Sequence, residues 1–256
     1  MLTSPMGDHQ RYGDGSKMKL LARLKKKASA LLYKVLLSAD AKAVRADKLT
    51  YLHPPKIRRL ERLALRAMKT TDGCLMEFGV ALGGSAILLA KQARLEQRQF
   101  HGFDVFDMIP APTSDKDGDG AKARYEVIAS KQSVGIGGQE YYGYRSDLYG
   151  DVCRAFDKHG IPVDGAGVQL HRGLFENTLA SFPQTTIAFA HVDCDWYDPV
   201  KLCLSEIDAR SSVGTIILLD DYHHYDGCKT ATTEFLQNHP NYRLEDGPNV
   251  ALVRVE

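Results

Sequence analysis

Residues 74–104 read CLMEFGVALGGSAILLAKQARLEQRQFHGFD, and this stretch decides the fold. Cys74–Phe78 is an apolar run of strand length. Gly79 to Gly84 is a glycine-punctuated turn, Ser85–Leu95 has helical spacing, and Phe100–Asp104 is a second apolar run. Strand, tight turn, helix and strand make a crossover, the repeating unit of a parallel sheet. Outward from it the alternation continues. Val168–His171, Thr186–Asp193 and Gly214–Asp220 read as strands, with helices at about 146–158, 198–210 and 227–238. On the N-terminal side, Pro54–Pro55 opens a helix whose apolar stripe is Ile57, Leu60, Leu63, Ala64, Ala67 and Met68. The final NYRLEDGPNVALVRVE reads as a hairpin turning at Asp246-Gly247. The expected fold is α/β: a doubly wound, mostly parallel seven-stranded sheet with an antiparallel C-terminal hairpin.

Two of these strands end in acids. IAFAHVDCDWYDP carries Asp193 and Asp195, and TIILLDDYHHYDG carries Asp220 and Asp221. Strands of an open parallel sheet deliver their last residues to one rim, where ligands bind. Neighbouring tips lie about 4.8 Å apart, and two carboxylates 4 Å apart repel by roughly 4 kcal/mol at an effective dielectric near 20. A cluster of three therefore calls for a cation, and all-oxygen ligands favour magnesium or calcium over zinc.

The turn after the first strand lacks the GxGxxG of a dinucleotide fold. Its GxxxGG spacing, with an acid inside the strand, is closer to the cofactor loop of class I S-adenosylmethionine-dependent methyltransferases. Glycines there let a cofactor approach the backbone, and a helix beginning near Ser85 offers free amides. Asp104 ends the second strand, placed to accept hydrogen bonds from ribose hydroxyls.

The chain has 256 residues, 44% hydrophobic and 25% charged, with a net charge of +1. That is ordinary for one globular α/β domain with an appendage. Residues 1–48 hold 11 Lys/Arg against 4 Asp/Glu, a basic N-terminal helical extension. Within it 1–16 look disordered. Residues 17–38 fit a basic amphipathic helix, which either packs on its own domain or a second subunit or touches an anionic membrane surface. The methyltransferase-like domain is then 49–256, and a homo-oligomer is expected. Five scattered cysteines without a CxxC pair argue against zinc and disulfide frameworks and fit the cytoplasm. No apolar run reaches membrane-span length. No basic patch outside the extension invites nucleic acid.

The connection from Val105 to about Ser146 is long for a compact domain and reads as a lid. It carries YYGYRSDLY, whose tyrosines suit sugars or aromatic acceptors. It also contains DKDGDGAKARYE at 115–126, which matches the EF-hand template through Asp115, Asp117, Asp119, Gly120 and Glu126. Two preceding prolines and Lys122 after the backbone-ligand position argue for a solvated lid start instead. His191 reads as a core histidine, and Asp198-Pro199 as the cap of the next helix.

Through MEFGVALGGSA, FHGFDVFDMIP, LHRGLFENTLASFP, AHVDCDWYDP and LLDDYHHYDGC, residues 50–256 resemble the macrocin O-methyltransferase family, which methylates sugar hydroxyls of bacterial natural products. The resemblance implies a Rossmann-like class I fold, S-adenosylmethionine, and a divalent cation, usually magnesium. It implies Asp193, Asp220 and Asp221 as metal ligands, with Asp193 also the catalytic base. It maps the cofactor site onto Glu77, Gly79, Val80, Gly83, Gly84, Ser85 and Asp104. In the wider class, residues after the third strand border the adenine, here Leu174 and Phe175. Asp195, His223 and His224 are left as neighbouring or substrate contacts. The expected activity is O-methylation of a sugar hydroxyl on a glycosylated natural product or polysaccharide. A phenolic or catechol-like acceptor is the alternative enzyme reading. A non-catalytic, membrane-surface or calcium-responsive S-adenosylmethionine binder is the alternative outside catalysis.

Overall fold

The computed structural model describes residues 36–256. The polar start at 1–16 and the amphipathic candidate up to residue 35 lie outside the described residues. Leu37 is buried, and Ser38 adopts extended backbone and caps the helix α1, Ala39–Ala46, by accepting the Ala41 amide. Ala41 and Val44 of α1 join the main core, so the described part of the extension packs on the domain.

Helix α2, Pro54–Thr70, starts on its two prolines and buries the predicted stripe. Then come β1, Cys74–Phe78; α3, Gly84–Leu95; and β2, Phe100–Asp104. Helix α3 is capped by Gly83 at φ +87, with no side-chain cap, so Ser85 lies inside the helix. After the connection, which contains α4, Gly118–Ala129, the chain forms α5, Leu148–Lys158, and β3, Val168–Arg172. It continues through α6, Phe175–Ala180; β4, Ile187–Val192; α7, Tyr197–Asp208; and β5, Ser211–Leu219. Helix α8, Asp226–Asn238, precedes the hairpin of β6, Tyr242–Glu245, and β7, Val250–Arg254.

The seven strands lie in the order β3-β2-β1-β4-β5-β7-β6. The first five are parallel and β7 is antiparallel to both neighbours. β1 and β4 are buried along their whole length, as strands covered by helices on both faces must be. One apolar cluster joins α1, α2 and α3 to one face, and a second packs α7 and α8 on the other. β5 begins three residues before the expected Gly214, because Ser211 pairs with Ile187 ahead of an irregularity in register. The fold is the expected α/β Rossmann-like sheet. Among the described residues no helix is long and apolar enough to cross a membrane.

The order puts β1, β4 and β5 side by side, and their ladders run one residue past the strand ends. The Gly79 amide donates to Phe103 O at 2.9 Å, Asp193 to Phe78 O at 2.9 Å, and Asp220 to Val192 O at 3.0 Å. The glycine turn and the acidic tips therefore emerge on one rim.

Candidate active site

That rim floors a cavity of about 950 Å³. Carboxylate oxygens of Asp193, Asp195 and Asp221 lie within 4.8 Å of one another there. Asp193 is fixed by its ladder bond. Asp195 sits in a tight turn at φ +59, followed by a 2.6 Å bond from the Trp196 amide to Cys194 O. A positive φ at a residue other than glycine is uncommon and costs backbone energy. Burial, reinforced by the neighbouring acids, holds the Asp193 and Asp195 carboxyls well above the usual carboxylate range, and burial with Asp220 raises Asp221. One Asp221 oxygen, Oδ2, is buried with no partner among the described residues. Three converging carboxylates and an orphaned buried oxygen fit a hard divalent cation.

Asp220 is not part of this convergence. Lys56 Nζ donates to its Oδ2 at 2.6 Å and to its carbonyl at 3.0 Å, and Asn249 Nδ2 approaches Oδ1 at 3.4 Å. The acid expected in the metal set is thus neutralised by a buried lysine, and Asp195 stands in the cluster instead.

Across the cavity, Asp104 Oδ2 accepts the amides of Val80 and Ala81 at 2.7 and 2.9 Å, and Oδ1 accepts that of Phe106 at 2.6 Å. Burial raises its carboxyl while these bonds oppose it. Gly79 is required as glycine: at φ +94, a Cβ would lie 1.9 Å from Asp193 O. The β1 turn thereby packs directly on the backbone of the acid cluster.

Gly79, Val80, Ser85, Asp104, Leu174 and Phe175 line the cavity. Glu77, Gly83 and Gly84 do not. Glu77 is fully buried and pairs with His191 Nδ1 at 2.7 Å across the β1–β4 register, leaving Glu77 Oε2 and His191 Nε2 without partners among the described residues. Gly84 packs its backbone on Leu49 O, which a Cβ would approach to 2.5 Å. His224 lines the cavity, whereas His223 turns away to Gly247 O and Asp246. Asp198 accepts from Thr113 and does not cap α7. The free Tyr197 amide at that helix start goes to Asp117 Oδ1 at 2.6 Å.

Asp117 belongs to the EF-hand-like stretch, and its use as a distant cap shows how that stretch folds. Asp115–Asp117 is a 3-10 turn closed by a capping box with Ser114, and α4 follows at once. Residues 115–126 are therefore helical over most of their length and do not form a ligand loop. Of the lid tyrosines, Tyr141 and Tyr142 line the cavity. Tyr144 is structural, donating to Ile128 O at 2.6 Å, and Tyr149 packs on Phe106. Sequence reasoning missed Lys56, Arg124, Tyr51, Trp196 and Tyr225, all on the cavity wall.

The sequence model described as macrocin-O-methyltransferase (TylF) matches residues 56–241. Demethyldecarbamoylnovobiocin O-methyltransferase of Streptomyces niveus is 29% identical over 167 residues, 64% of this chain and 58% of that protein. The 8-demethyl-8-(2,3-dimethoxy-alpha-L-rhamnosyl)-tetracenomycin-C 4'-O-methyltransferase of Streptomyces olivaceus is 25% identical over 166 residues, again 64% and 58%. The matched region thus spans less than two thirds of either relative. The solved structure of the O-methyltransferase NovP superposes with a TM-score of 0.66 at 22% identity, over 81% of this chain and 83% of that one.

Proposed function

The chain belongs to the macrocin-O-methyltransferase family, and from that premise we propose that it transfers the methyl group of S-adenosylmethionine to a sugar hydroxyl of a glycosylated natural product or polysaccharide. The observation that carries the reading is the three-carboxylate cluster sharing one cavity with the β1 glycine turn and Asp104. Asp104 would accept from the donor's ribose, Ser85 and the turn at Gly79 would hold its methionine end, and Leu174 and Phe175 would border its adenine. Both curated relatives are named as O-methyltransferases of natural products, and the name of one specifies a rhamnosyl compound, which supports the acceptor class.

The methyl group of a sulfonium is already activated. The slow partner is an alcohol, a weak nucleophile while it keeps its proton. A magnesium ion held by Asp193, Asp221 and Asp195 would lower the pKa of a hydroxyl beside it. Asp193 is the residue assigned to accept the departing proton, since it lines the cavity at the rim fixed against the β1 turn. The rigid β1–β4 contact at Gly79 fixes the base relative to the donor, so part of the acceleration is alignment.

Asp193→Asn is expected to lower turnover by about 10²-fold or more, while S-adenosylhomocysteine still binds. Mass spectrometry for the methyl gain on candidate glycosides, with and without magnesium, reads the outcome. Full activity of Asp193→Asn, or activity that survives thorough chelation, would sink the assignment.

A further inference from the structure

Arg124 is the cavity charge that the proposed reaction leaves unused. It stands on α4 and lines the cavity. The other strong base on the wall, Lys56, is committed to Asp220. Arg124 makes one hydrogen bond among the described residues, from Nη2 to Ser133 Oγ at 3.0 Å, and no carboxylate lies within ion-pair distance. A guanidinium carries five N–H donors. Its other nitrogens are not among the buried atoms without partners, so they remain accessible to solvent.

Its surroundings are aromatic. The guanidinium carbon lies 5.8 Å from the Tyr141 ring centroid. Tyr141 packs on Tyr142 at 4.4 Å, and Tyr142 meets Tyr51 edge-on at 6.2 Å. Tyr51, 51% exposed, carries the wall to the cavity mouth. Burial pushes the Tyr141 phenol up to about 12, so this wall offers Arg124 no negative charge. A planar cation with free donors, at one end of a stacking surface and within an otherwise acidic cavity, lacks its complement.

We propose that Arg124 and the Tyr51–Tyr141–Tyr142 wall form a subsite for an acidic group on the acceptor, a carboxylate or a phosphate carried beside the sugar that is methylated. The proposal rests on reading this cavity as the acceptor site. It narrows the acceptors to anionic glycosides: uronic-acid saccharides in the carboxylate case, sugar phosphates in the other. The rings stack on the sugar face, and the guanidinium binds two anion oxygens at once.

The test is titration calorimetry on the full chain, saturated with S-adenosylhomocysteine and with a chelator present, so that no metal ion can recruit the anion. The probes are p-nitrophenyl glucuronide, p-nitrophenyl glucoside and glucose 1-phosphate. At least one anionic probe is expected to bind about tenfold or more tightly than the neutral glucoside. Arg124→Gln should abolish that preference and Arg124→Lys should weaken it, both with S-adenosylhomocysteine affinity unchanged. Preference for the glucuronide identifies the carboxylate as the source, and preference for glucose 1-phosphate the phosphate. Equal binding of all three probes, no binding by either anion, or a preference that survives Arg124→Gln overturns the proposal. Arg124 is then only a counter-charge to the acid cluster. Failure of the wild-type chain to bind S-adenosylhomocysteine would instead strike the methyl-transfer reading itself.

Discussion

In the folded molecule Asp195 gathers with Asp193 and Asp221, while Asp220, also on the cavity wall, is held by Lys56. The Lys56 and Asp220 side chains are only 5% and 8% exposed. Removing one member of such a pair leaves the other buried and uncompensated, a cost of about 3–5 kcal/mol. Asp220→Asn is therefore expected to destabilise the fold strongly in denaturant melts while retaining most magnesium affinity. Asp195→Asn is expected to cost little stability and to weaken magnesium binding as much as Asp221→Asn does. The reverse ranking by calorimetry would favour Asp220 over Asp195 as a ligand. Sequence could not reveal this arrangement. A lysine between Pro55 and Ile57 looks like a polar helix face, because lysines are almost never fully buried. Asp193, Asp221, Gly79 and Asp104 were legible because strand ends and glycine turns fix backbone position, and backbone position is what a pattern encodes. Glu77 was legible as an acid in β1, but its partner His191 depends on cross-strand register, which a single strand does not carry.

Among the elements, the parallel strands were readable from apolar runs bounded by Gly and Asp, with errors of a few residues at their ends. The connection between β2 and α5 was not. Its helix α4 buries only Ala121 and Ile128, too few positions for a periodic signal, and its first turn was masked by acids in EF-hand register. What holds α4 is long-range. Asp117 caps α7 through the Tyr197 amide, Lys116 pairs with Glu234 at 2.6 Å and donates to Tyr197 Oη at 2.9 Å, and Trp196 Nε1 donates to Pro110 O at 3.0 Å. The lid base is thus tied to the two helices that follow the acidic strands. Losing a helix cap costs about 0.5–2 kcal/mol. Asp117→Ala should lower stability by that amount and loosen the lid. The expected signature is a raised KM for the acceptor with little change in S-adenosylhomocysteine affinity, together with faster proteolysis in 105–117. Unchanged acceptor KM would show that α4 does not shape the acceptor site.

Across the whole molecule, two sets of buried ionisable groups make stability depend on pH in opposite senses. Burial, with His171 adding to it, depresses His101 to about 4, and burial also lowers His171. Both stay neutral in the fold and charge more readily when it opens. They contribute stability above about pH 6.5 that is lost as pH falls toward 4. The acid cluster behaves oppositely. Asp193, Asp195 and Asp221 hold protons more tightly in the fold than in the unfolded chain, so without a cation they destabilise the fold increasingly as pH rises. A divalent cation reverses that, because it takes the deprotonated carboxylates and competes with their protons. If magnesium is the ion, about 100 times its dissociation constant should stabilise the fold by about 2.7 kcal/mol, roughly 5–10 °C in Tm for a chain of this size. That gain should be largest at high pH, shrink as the pH falls, and drop at every pH in Asp221→Asn. Thermal melts with and without magnesium across this range measure it. A pH-independent magnesium shift would mean that the ion binds somewhere other than the three acids facing the β1 turn.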